Sequence, residues 1–206
     1  MNIELLKAAE SKFMSQYPGG FDNEEMKVIA KRHRIDKMSA LVQEVFAKEK
    51  FIFPEQIVEN MIKVISRSSM VSLFEKPKFR DYARSLAPIQ KEILAQGLYD
   101  MLHGNQENGF NQMLGVLVDG KLGKWSLMTI IPVYYYPNRE IFVKPTTTKN
   151  VIRVFGLEDL IYRPRPSYGF YVKYKAYIEE MKGHVNIFCR PNNPAFTGFL
   201  MMVMEE

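Results

Sequence analysis

Apolar residues recur at helical spacing through the first part of the chain. After Pro54, the side chains of Ile57, Met61, Ile62 and Ile65 fall on one face of a helix. This spacing predicts an amphipathic helix whose apolar face is buried. Weaker repeats of the same pattern predict further helices over residues 3–14, 22–34, 36–46 and 88–103, and a short helix or turn over 78–86.

The pattern becomes ambiguous in the later part of the chain. Residues 113–118 precede an Asp–Gly pair typical of hairpins, and residues 127–136 mix β-branched and aromatic side chains. Periodicity therefore leaves helix and strand both open for 113–136. The remaining predicted elements are short strands over 140–144 and 185–189 and helices over 146–155, 168–183 and 195–204.

These elements predict an α+β fold that is predominantly helical. A helical N-terminal part (about 1–118) and a mixed later part with a few short strands (about 119–206) would share one core. A length of 206 residues and the absence of an internal repeat favour a single domain, 1–206. The apolar segment 195–204 is expected to be a core helix, and an exposed one would instead form a partner or homodimer surface.

Composition indicates an ordinary globular protein. Apolar residues make up 47% of the chain and charged residues 25%. The single cysteine, Cys189, cannot form an internal disulfide, which suits a reducing compartment. The start of the chain does not resemble a secretory signal, and the most apolar stretches, 127–136 and 196–204, are too short to span a bilayer. We therefore expect a soluble cytoplasmic protein without a membrane partner.

Positive charge is concentrated in the later part. The net charge is +5, yet residues 1–120 hold 16 basic and 16 acidic residues. Residues 121–190 hold 12 basic and 5 acidic residues, together with eight of the 11 tyrosines. This asymmetry favours an anionic partner.

One segment of this basic region has the pattern of an anion-binding helix start. Lys144 and a proline precede Thr147 and Thr148, and the first helical turn then contains Lys149 where most helices place an acid. Free N–H groups at a helix start bind phosphate, and Arg163 of the same basic region would assist. The alternative is that the threonines simply cap a surface helix. The glycines of a P-loop are absent.

Two other basic runs admit a functional and a structural interpretation. Arg163 and Arg165 alternate with prolines between Tyr162 and Tyr168, so arginines could bind phosphates while tyrosines stack on bases. The alternative is a rigid interhelix connection whose arginines pair with local acids. The run 31–34 (Lys-Arg-His-Arg) is interpreted as a helix end whose charges favour the dipole.

No metal, cofactor or catalytic motif is found. His33, His103 and His184 lie in unrelated segments, and Cys189 would face away from His184 on a strand. The leading interpretation is therefore a non-enzymatic binding protein for nucleic acid or another phosphate-bearing ligand.

Two other classes of protein stay open. An enzyme of unrecognised class could build its site from Lys124, Trp125, Lys144 and Arg163. An interaction module could present its basic face to an acidic protein partner. The enzyme alternative would need Trp125 near the ligand, whereas we expect this sole tryptophan to pack in the core.

Overall fold

A computed structural model describes residues 1–204, and within that range every regular element is helical. The predicted α+β class is wrong, because no strand forms among these residues. Short 3-10 turns occupy Gly20–Asp22, Lys48–Ile52 and Ile187–Cys189. The α-helices are α1 (Ile3–Gln16), α2 (Glu24–His33), α3 (Ile35–Val45), α4 (Pro54–Arg67), α5 (Glu75–Ser85), α6 (Pro88–His103), α7 (Gln106–Asp119), α8 (Trp125–Tyr135), α9 (Pro145–Val154), α10 (Tyr168–Gly183) and α11 (Asn193–Met204).

Both ambiguous segments within 113–136 are helical. Residues 113–118 lie in α7, and residues 127–135 lie in α8, with Pro132 inside the helix. Every residue of α8 from Trp125 to Tyr134 is buried. A helix buried on all sides has no apolar stripe, which is why periodicity could not distinguish it from a strand.

The two predicted strands lack a partner strand. In the extended segment 140–144, the Val143 amide donates to the Thr129 hydroxyl at 3.0 Å. Residues 187–189 of the other segment form a 3-10 turn, where the Asn186 side chain accepts from the Phe188 amide at 3.0 Å. Side chains thus satisfy backbone groups that a sheet would have paired.

The predicted face of α4 is confirmed. Ile57, Met61 and Ile65 have no exposed surface, and Ile62 is also buried. One hydrophobic cluster includes these residues and extends from α1 to α11. The apolar segment at the end of the chain belongs to it, since Phe199 and other residues of α11 are buried. No helix between residues 1 and 204 is both long and apolar enough to cross a membrane.

Helices α6 and α7 approach each other at backbone contact. A Cβ atom on Gly97 would lie 2.9 Å from the Met113 amide nitrogen. A Cβ atom on Gly109 would overlap the Gly97 carbonyl oxygen and the Met101 amide nitrogen. Only glycine therefore fits where the two helices cross.

Candidate functional site

A groove of about 930 Å³ opens between α2, the start of α3, the start of α9 and α11. We call it the basic groove. Ligand sites in proteins commonly enclose about 300–1,000 Å³, so the groove has the size of a small-molecule site. Its main apolar lining residues are Phe21, Met26, Ile29, Met70, Phe142, Met201 and Met202.

Cations outnumber acids along the basic groove. Its cationic lining residues are Lys27, Lys31, Arg34, Lys37 and Lys144, and its acids are Asp22 and Asp36. Lys27 forms an ion pair with Glu24 at 2.8 Å. The other four cations form no ion pair with any residue between 1 and 204. The groove therefore combines an apolar lining with an excess of positive charge.

Helix α2 supplies Lys27 and Lys31 and packs only lightly against the core, through Met26 and the partly buried Ile29. Met26 is its only buried side chain. Asn23 is the N-cap of this helix, and its side chain accepts from the Glu25 amide at 3.0 Å. It ends at Arg34, whose φ of 50° turns the chain directly into α3.

The basic run at the end of α2 contributes to the groove. Lys31, His33 and Arg34 all line it, and the His33 Nδ1 lies 3.1 Å from the Ser69 hydroxyl. Sequence reasoning assigned these charges to the helix dipole alone. The missed signal was that the run ends a short helix with few apolar residues, of which Met26 alone is buried.

The predicted anion site is only partly assembled. Lys144 and Thr147 both line the basic groove, with Lys144 exposed and Thr147 only 4% exposed. The expected threonine cap is wrong, because Lys144 is the N-cap and makes no side-chain cap bond, while Pro145 begins the helix. Thr147 and Thr148 are instead buried in the first turn of α9.

The other three predicted residues lie outside the groove. The Thr148 hydroxyl hydrogen-bonds to Tyr174, whose pKa is raised by burial and lowered in part by this bond. The Lys149 Nζ lies 5.9 Å from the centre of the Tyr162 ring. Arg163 is exposed, and its carbonyl oxygen accepts from the Trp125 indole at 2.8 Å.

The aromatic residues near Arg163 are engaged in packing. The Tyr162 ring lies 5.9 Å from Phe170, and the Tyr168 ring lies 5.8 Å from Phe110. Trp125 is 1% exposed and lies 5.0 Å from Phe170, which confirms the expectation that it packs in the core. These rings are therefore part of the fold rather than a free stacking surface.

A buried carboxylate lies behind one wall of the groove. Glu140 is 1% exposed and accepts from the Tyr171 hydroxyl at 2.6 Å, Arg139 at 2.8 Å and Lys175 at 3.2 Å. Burial raises the pKa of Glu140, but these partners outweigh it and leave the pKa below its ordinary value. The Glu140 carbonyl also accepts from Asn193 at 2.9 Å, which joins the extended segment to α11.

Other reactive groups offer little chemistry. Cys189 is fully buried, and burial raises the pKa of its thiol to about 11, so the thiolate is scarce at neutral pH. No three His, Cys, Asp or Glu residues are grouped as metal ligands in the described part of the chain. Comparison with protein families, curated proteins and solved structures finds no match to this chain.

Proposed function

We propose that this protein binds a small anionic molecule with an apolar body in the basic groove. The observation that carries the proposal is the pairing of an apolar lining with four cations that form no ion pair with any residue between 1 and 204. Apolar contact would supply affinity, and charge would select the ligand and orient it. A phosphate-bearing metabolite or lipid fits this description.

A small ligand fits the groove better than a nucleic acid does. Single-stranded nucleic acids bind where aromatic rings are free to stack on bases. Apart from His33, the aromatic residues that line the groove are Phe21 and Phe142. The rest of its apolar lining is aliphatic or methionine. Nucleic-acid binding would instead have to use the exposed side chains of Arg163 and Arg165, whose neighbouring tyrosines are engaged in packing.

We also propose that the protein is cytoplasmic, because its single cysteine is a buried free thiol. Experiment can distinguish this proposal from two alternatives. An acidic protein could occupy the groove rim, and an enzyme could act on the bound anion through the His33–Ser69 pair. We favour binding alone, since the His33 ring makes no other hydrogen bond within residues 1–204 that would orient it as a base.

A fluorescent amphipathic anion tests the proposal directly. Titration with 8-anilinonaphthalene-1-sulfonate should show saturable binding that weakens as salt increases. Lys31→Glu and Lys37→Glu should each weaken binding about tenfold, since reversing a nearby charge costs about 1.4 kcal/mol. Lys63→Glu on α4 is the matched control, because Lys63 is exposed and lies outside the groove.

The same titration separates the alternatives. Competition by short oligonucleotides but not by alkyl anions would replace the proposal with nucleic-acid binding. Equal binding by wild type and both groove variants would remove the groove as the site.

A further inference from the structure

The first turn of α9 presents unused hydrogen-bond donors to the basic groove. The Thr147 side chain is 4% exposed and lines the groove, yet its hydroxyl has no hydrogen-bond partner among residues 1–204. The first backbone hydrogen bond of α9 runs from the Thr148 amide to the Lys144 carbonyl at 2.8 Å. The amides of Thr146 and Thr147 precede it and donate to no described group.

This turn is also electropositive. Unpaired amides give a helix start a partial positive charge, and the first turn of α9 contains no acid to offset it. Lys144 adds a full charge beside it, and no residue in the described chain forms an ion pair with that lysine. The accessible hydroxyl of the largely buried Thr147, two free amides and an ammonium group form a donor set suited to an anionic oxygen.

Apolar, flexible side chains adjoin this donor set. The Lys144 Nζ lies 3.9 Å from the Met201 sulfur, and Met202 lines the same groove. Met26 and Met70 line it as well. Methionine adapts its shape to a flexible partner, whereas a planar ring would be held between rigid aromatic faces. The lining therefore favours an alkyl chain.

We infer that the ligand is a single alkyl chain ending in an anionic head, held with its head at the first turn of α9. This inference rests on the proposed function and adds the ligand's class and orientation. Thr147 donates its hydroxyl hydrogen to a head oxygen, Lys144 balances the charge, and the chain lies along the methionines. A carboxylate and a phosphate share this chemistry, so a fatty acid and an alkyl phosphate are both candidate sources.

Three twelve-carbon probes distinguish the head from the chain. Calorimetric titration below micelle formation should show binding of dodecanoate, dodecyl phosphate or both, and much weaker binding of dodecanol. The anion that binds more tightly identifies the source of the head. Dodecanol binding as tightly as both anions would overturn the inference, because the head would then contribute nothing.

Substitution at Thr147 tests the orientation. Thr147→Val keeps the shape and removes the donor, so anion affinity should fall about tenfold while dodecanol affinity is unchanged. Thr148→Val is the matched control, because Thr148 is buried on the same turn but bonds to Tyr174 outside the groove. Thr147→Ser keeps the hydroxyl and should restore binding, which separates a lost donor from a damaged fold.

The outcomes separate this inference from the proposed function. If the naphthalene sulfonate binds with the expected Lys31 dependence but no alkyl anion binds, the groove proposal stands and this inference fails. Unchanged anion affinity in Thr147→Val likewise overturns it. If no probe binds, both fail.

Discussion

The α6–α7 pair and helix α2 differ in how closely they are packed. Gly97 and Gly109 bring the backbones of α6 and α7 into contact, and six residues of each helix are buried. Helix α2 buries Met26 alone and leaves Val28 54% exposed. Both helices of the tight pair lie outside the basic groove, whereas α2 forms one of its walls.

This difference in packing indicates which parts of the molecule can change conformation. Closely packed backbones have one arrangement, since any shift creates overlap or a void. A helix that packs through one buried and one partly buried side chain opens at a lower free-energy cost. The groove thus lies beside a lightly packed helix, whereas the tight α6–α7 pair holds a part of the fold outside the groove fixed.

The largest expected difference between the two regions is the cost of truncating a side chain. Phe110 on α7 has no exposed surface and lies within 6.3 Å of the rings of Trp125, Tyr168 and Tyr171. Phe110→Ala should lower the free energy of unfolding by about 3–5 kcal/mol. Val28→Ala on α2 should change it by less than about 0.5 kcal/mol. Urea unfolding measures both, and similar losses would break the comparison.

A smaller effect should follow from adding one methyl group at the helix crossing. Gly109→Ala places a Cβ against backbone atoms of α6 that cannot move independently, so it should destabilise by about 1–3 kcal/mol. Gly115→Ala on the same helix meets nothing within 4 Å and should stabilise by about 0.5–1 kcal/mol. Opposite signs of the shift in thermal midpoint would sharpen the comparison, and equal shifts would contradict it.

The smallest effect concerns acid sensitivity at Glu140, which joins the groove wall to α10. Its folded pKa lies below its ordinary value of 4.5, because hydrogen bonds from Tyr171, Arg139 and the charge of Lys175 outweigh burial. The stability it contributes is therefore complete above about pH 4.5 and is lost as pH falls through the lowered pKa. Glu140→Gln should make stability less dependent on pH as pH falls below about 5.

The exposed Glu180 on α10 provides the control for this measurement. It makes no hydrogen bond or ion pair with a described residue, so Glu180→Gln should keep the acid sensitivity of the wild type. Denaturant unfolding across the pH range measures all three proteins. If the free energy of unfolding of Glu140→Gln falls at acidic pH as steeply as that of the wild type, the charge of Glu140 does not stabilise the groove wall.

Sequence reasoning succeeded where local pattern decided the structure. The buried face of α4 follows from the spacing of Ile57, Met61 and Ile65, and the structure confirms it. It failed where tertiary contacts decided. Nothing near Val143 in the sequence shows that the Thr129 hydroxyl will accept its amide hydrogen and replace a strand partner.

The site was predicted only in part for a similar reason. Lys144 and Thr147 stood out because the start of α9 lacks acids. Lys31 and Arg34 reach the same groove from more than a hundred residues away, and no local spacing connects them. The prediction instead joined Lys149 and Arg163 by their proximity along the chain, and neither lines the groove.

Cys189 is a natural probe of local opening near the basic groove. It lies in the turn Ile187–Cys189, whose Phe188 backbone contacts Gly20 at the entrance to α2. Because Cys189 has no exposed surface, a thiol reagent can label its sulfur only when the surrounding structure opens. The labelling rate would thus report how often this part of the protein opens. Slower labelling in the presence of a ligand would show that the bound ligand suppresses this opening, without any engineered probe.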